Sequence, residues 1–156
     1  MAIEDWMPPL AEHVAGIEGL EMVYFPDPND SNAAIPGVLS VFPCAVIMPL
    51  RGGEDELSTG AGGSFASTEV QVTLYLSESI LPEAYNAVIP YISRMKRRIA
   101  GKITLGGLVH HVLPWPTGVG QRWWEGPGSI AYAGVSHLCI TFRLLVKEHE
   151  TFTVAA

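Results

Sequence analysis

The chain reads as an α+β domain, a curved antiparallel or mixed β-sheet packed by two helices and carrying long hairpin loops. Three observations predict this. Residues 65–77 alternate cleanly, with Val70, Val72, Leu74 and Leu76 toward one face and Glu69, Gln71, Thr73 and Tyr75 toward the other. That is the period of a strand with one covered face. Residues 82–100, with Leu81 just before them, carry an apolar stripe of Leu81, Tyr85, Val88, Ile92, Met95 and Ile99, whose steps of three and four belong to an amphipathic helix. The element order is helix, strands, helix, strands, which differs from the strand–helix alternation of a parallel sheet.

Taken from the N-terminus, residues 3–17 form a short helix. Asp5 is its candidate N-cap, Pro8 and Pro9 fall in a first turn that tolerates them, and Leu10, Val14 and Ile17 share a face. Gly16 and Gly19 end it. Residues 21–25 are a brief strand, and the Pro26-Asp27-Pro28-Asn29-Asp30 run then forces a loop. Residues 44–48 are apolar and bracketed by Pro43 and Pro49, which suits a short strand. Residues 51–64 hold five glycines and three consecutive acids, and read as a long, mobile hairpin tip. The helix at 82–100 is capped by Ser79, kinked by Pro90 and stopped by Gly101. Residues 103–105, 108–113 and 136–146 are strands, interrupted by a Pro/Gly/Trp-rich loop at 114–128. No internal repeat or linker divides the chain, so 1–156 is one domain.

Composition limits function. Hydrophobic residues make up 48% of the chain and charged residues only 16%, against a usual charged share of about 25%. The excess apolar surface needs a destination. Three stretches lack Asp, Glu, Lys and Arg (31–50, 103–121 and 126–142), but each is broken by proline or glycine, so none reads as a membrane-spanning helix. No basic region opens the chain, so no signal peptide is expected. Self-association is the better destination. Two cysteines, Cys44 and Cys139, are too few for a disulfide framework and are expected as buried thiols of a cytoplasmically made protein. The net charge of −7 opposes nucleic-acid binding by counterion release. That total hides an asymmetry: residues 1–93 hold thirteen acids and one base, residues 94–156 eight bases and three acids. The halves are electrostatically opposite, which suggests complementary faces.

Candidate chemistry is sparse. His110 and His111 are adjacent, so on a strand they point to opposite faces. His137 and Cys139 share a face and suit zinc, but two ligands do not make a site. No nucleophile elbow, zinc-protease helix or phosphate-binding lysine loop occurs. Glu54, Asp55 and Glu56 are either a solvated run or a cation site. Arg94, Lys96, Arg97, Arg98 and Lys102 are a solvated helix end, a salt-bridging surface for an acidic partner, or a nucleic-acid contact. Trp115, Trp123 and Trp124, with Arg122, have the composition of an interface hot spot, or else fold back onto their own core. No catalytic residue, cofactor or metal site is expected.

The run from the 65–77 strand through the 82–100 helix, Leu105-Gly106-Gly107-Leu108 and Ile130-Ala131-Tyr132-Ala133-Gly134-Val135 into Thr141-Phe142-Arg143-Leu144-Leu145-Val146-Lys147-Glu148 resembles the tail-terminator, or tail-completion, proteins of long-tailed bacteriophages. The resemblance covers residues 65–150 and lies in element order and in the form of the last strand. It implies a structural virion protein, assembled in the host cytoplasm and sited at the head-proximal end of the tail. Six copies would form a ring that caps the tail tube, ends its elongation and meets the head connector or stopper protein. Genomic DNA would pass through the lumen without specific binding, and an acidic lumen would let it pass. The interface candidates are then Arg94, Arg97, Arg98, Lys102, Trp115, Arg122, Trp123, Trp124, Glu54, Asp55 and Glu56. The alternatives are another neck or tail-tube component, or, in a different class, a small metal-dependent enzyme built on His137, Cys139 and an acid of 54–56.

Overall fold

The computed structural model describes residues 3–27, 35–58, 63–77, 82–102, 104–109, 111–114 and 123–151. The fold is α+β: two helices on a mixed sheet that does not close into a barrel. Helix α1 spans Ile3–Ala15 and α2 spans Ile89–Ala100, with a 3-10 turn at Pro82–Ala87 before it. The strands are β1 (Met22–Tyr24), β2 (Cys44–Ser58), β3 (Gly63–Ser77), β4 (His111–Pro114), β5 (Trp124–Tyr132) and β6 (Val135–Thr151). Their order is β1-β2-β3-β6-β4, with β5 also on β6. Among the described residues only the β1–β2 pair is parallel.

Strand β6 is the axis. It pairs with β3 along one edge, from Ser77↔Leu138 to Gly63↔Thr151. Its other edge is shared end to end: β5 takes Val135 to Phe142, and β4 takes Leu144 to Lys147. Leu138, Ile140, Phe142, Leu144 and Val146 alternate toward the helices, opposite Val70, Val72 and Leu74 of β3, and all are buried. Trp6, Leu10 and Val14 of α1 and Val88, Met95 and Ile99 of α2 complete this main core.

The reverse face departs from the sequence reading, which left it uncovered. Tyr75, Val46, Cys44 and Cys139 are buried there in a second, smaller core. Residues 35–43 cover it, with Leu39 buried and Ile35 and Phe42 packed alongside. The Tyr132 hydroxyl donates to the Pro36 carbonyl and ties this strap to β5. Alternation in one strand cannot reveal a strap supplied by a distant, irregular segment.

Other boundaries also differ. The expected mobile tip at 51–64 is largely strand: β2 runs on to Ser58 and β3 begins at Gly63, in register from Arg51↔Glu69 to Ser58↔Gly63. Two irregularities interrupt that ladder, and backbone pairing holds the glycine-rich, acidic sequence extended despite its low strand propensity. The first irregularity leaves Leu50 as the extra, exposed residue between Pro49 and Arg51. Asp5 is not the N-cap of α1, because the helix already includes Ile3. Pro8 and Pro9 therefore lie inside it and remove two donors from its ladder. Pro90 does not kink a long helix. It sits in the first turn of α2, where its missing N–H costs nothing, and the residues before it form the 3-10 turn. Residues 104–109 turn rather than form strand, with Leu105, Gly106 and Gly107 all at positive φ. Of the expected 114–128 loop, Pro114 ends β4 and residues 124–128 belong to β5, while residues 115–122 lie outside the described residues.

A two-residue turn, Ala133-Gly134, joins β5 to β6 with both residues at positive φ (51° and 84°). This is the hairpin geometry that matches the twist of paired strands. Gly134 adopts it without penalty; Ala133 does not. Ala133→Asn should therefore raise stability by up to about 1 kcal/mol, read as a higher urea midpoint with an unchanged slope. Phe142→Ala, which empties the centre of the main core, should lower stability by about 3–5 kcal/mol.

Candidate functional site

The basic cluster of α2 divides by helical rotation. Arg94 and Arg98 face α1. The Arg98 Nε–H donates to the His13 carbonyl at 2.7 Å, and the His13 Nε2–H donates back to the Arg98 carbonyl at 2.6 Å. Arg94 donates to the Glu18 carbonyl at 3.1 Å and lies 4.9 Å from the centre of the Tyr91 ring. The guanidinium groups thus satisfy carbonyls at and beyond the C-terminus of α1, the electronegative end of that helix. Gly16 makes room for this: a Cβ there would stand 2.1 Å from an Arg98 nitrogen. Lys96, Arg97 and Lys102 remain exposed. Of the four cations between residues 94 and 102 expected at an interface, Arg94 and Arg98 clasp α1, and Arg97 and Lys102 are presented to solvent.

In the helical layer α1 packs against β1, while α2 packs against β4. Between α1 and β1 lies a groove of about 320 Å³. Ala11, Ala15, Leu20, Val23 and Phe25 line it, and Glu12 and Glu21 stand at its rim. Met22, also on the groove, is 47% exposed. Among the described residues, β1 has no strand on its outer side. The two ends of the sheet therefore differ: an acidic, apolar-floored edge at α1/β1 and a basic edge at α2/β4. Sequence reading found the charge asymmetry but missed Glu12, Glu21 and the groove, because their proximity depends on the parallel β1–β2 pairing.

Trp123 and Trp124 are half-buried and pack on the main core, with the Trp123 ring 5.4 Å from that of Phe142. Pairing of β5 with β6 draws these two onto the sheet. Trp115 and Arg122 lie outside the described residues. Glu54, Asp55 and Glu56 belong to β2 by backbone register, and their side chains also lie outside what is described. Glu69, buried on the reverse face, pairs with the exposed Arg51 across the ladder, as a buried carboxylate requires.

His137 and Cys139 share the reverse face, as their spacing predicts. His137 lies among Phe42 and Tyr75, with ring centres 5.2 Å and 5.9 Å away. Among the described residues no three His, Cys, Asp or Glu side chains converge as metal ligands. Cys44, Tyr75 and Cys139 stand in one row across β2, β3 and β6. Two strand spacings, about 9.6 Å, separate the cysteines, beyond the roughly 7 Å that a disulfide bridges. Burial pushes both thiols up to about 11 and the Tyr75 hydroxyl up to about 12. These are packing groups held in their neutral forms. Among the described residues no helix is long and apolar enough to cross a membrane. Comparison with known protein families finds no matching family profile, and comparison with curated proteins finds no match.

Three outcomes test this arrangement. Burial holds the His13 imidazole below its ordinary pKa of 6.5, and the Arg98 and Lys102 charges lower it further, against the opposing hydrogen bond to the Arg98 carbonyl. The unfolded chain then takes the proton first, so this stability is complete above about pH 6.5 and lost as pH falls through and below it. His13→Gln, which keeps a donor, should flatten the decline in melting temperature between about pH 7 and 5. Gly16→Ala and Arg98→Ala should each destabilise, and together by less than the sum, because both remove the same clasp. Cys44 and Cys139 should resist a thiol reagent at neutral pH until the protein unfolds.

Proposed function

We propose that this protein is a homo-oligomeric structural component of a phage virion, a ring that caps the tail tube, stops its growth and joins it to the head connector. The observation that carries this reading is the pairing of two unlike sheet edges, one acidic with an apolar groove and one basic. A surface of that kind joins copies heterologously, each copy's first edge to the next copy's second, and such an interface closes into a ring when the rotation permits. The low share of charged residues and the resemblance of residues 65–150 to tail-terminator proteins support the same reading. The resemblance implies six copies around a lumen through which genomic DNA passes without specific binding. The tail-tube protein and the head connector are its expected partners, and its place is the head-proximal end of the tail.

Light scattering and negative-stain microscopy test this directly. Purified protein should form rings, alone or on the ends of tail tubes, and tubes grown with it present should stop short. Incorporation along the tube wall would instead make it a tube component. A protein that stays monomeric both alone and with tubes would refute the ring.

A further inference from the structure

The exposed flank of α2 has its own pattern. At about 100° per residue, Ile89, Ser93, Lys96 and Ala100 fall on the side of the helix turned away from Arg94 and Arg98, and so away from α1. All four are exposed, and Ile89 is 55% exposed despite being apolar. Arg97 stands beside them on the outer surface. The stripe thus runs from apolar Ile89 through small Ser93 to the cations Lys96 and Arg97 and ends on small Ala100.

The groove at α1/β1 is its complement. On α1, Pro8, Ala11 and Ala15 line the groove, Pro9 and His13 lie on the side of Arg98 and Lys102, and Glu12 stands between the two and borders both. Alanines four apart keep the groove floor low, and small side chains on both surfaces let two backbones approach closely. Glu12 and Glu21 at the rim supply the charge that Lys96 and Arg97 lack within their own subunit, where no salt bridge to either is formed among the described residues.

We infer that the α2 stripe of one copy docks into the α1/β1 groove of the next, Lys96 and Arg97 facing Glu12 and Glu21. The occupant is a second copy of this chain because the two patches carry opposite charge and lie on opposite flanks of one helical layer. A patch cannot reach the groove of its own subunit, since α1 stands between them. Repetition of the contact runs in one direction around a ring. Apolar and small residues supply the contact area, and the charges set orientation and exclude like-with-like pairing. This inference rests on the ring reading and specifies which surfaces meet.

A charge swap tests it. Lys96→Glu/Arg97→Glu and Glu12→Lys/Glu21→Lys should each weaken self-association at least about tenfold, as like charges then face each other. Mixing the two variants should restore assembly, and so should combining all four substitutions in one chain. All four positions are exposed, and circular-dichroism melting should show each variant folded. If wild-type assembles and both variants assemble equally well, or if mixing fails to rescue them, this interface is wrong while the ring reading stands. If wild-type never self-associates, alone or with tail tubes, both fall.

Discussion

A 17-residue strand at the centre of a sheet needs hydrogen-bond partners along both edges, and β6 finds them asymmetrically. One long partner, β3, covers one edge, while two short strands share the other. The rest of the architecture depends on this arrangement. It places alternate β6 residues in the main core beneath two helices and the others on the reverse face. It also draws Trp123 and Trp124 onto the core, since β5 must lie against β6 to complete the ladder. Backbone pairing outranks local composition here.

The helical layer obeys a second constraint. The carbonyls at and beyond the C-terminus of α1 need donors, and the arginines of α2 supply them at His13 and Glu18. Arg94 and Arg98 meet that need, and their rotation toward α1 turns the other flank of α2 outward. Structural and presented cations are thereby separated within one short helix. The small residue at Gly16 is part of the same device, because a side chain there would displace the Arg98 guanidinium.

These constraints together give the molecule two unlike ends. The parallel pair β1–β2 brings Glu21 and the apolar residues of β1 beside α1, while α2 and β4 close the opposite end. A chain poor in charge thus presents Glu12 and Glu21 at one end and the exposed Lys96 and Arg97 at the other. That distribution favours association of copies in one direction over symmetric pairing of identical patches, which is the physical basis of the ring reading.

The amino-acid sequence by itself determined the α+β class, the faces of β3, the apolar stripe of α2 and the opposition of charge between the two halves. Each is a local or additive property: alternation, helical spacing and net charge need no knowledge of neighbours. Only the tertiary structure decided how far β2 and β5 extend, which face the strap 35–43 covers, and where the helix around Pro90 begins. It also decided which of the five cations are used within the subunit. Those outcomes depend on contacts between residues far apart in the chain, such as His13 with Arg98 or Cys44 in a row with Cys139. Spacing along a sequence does not encode such contacts, because long-range strand pairing and helix packing set which side chains meet.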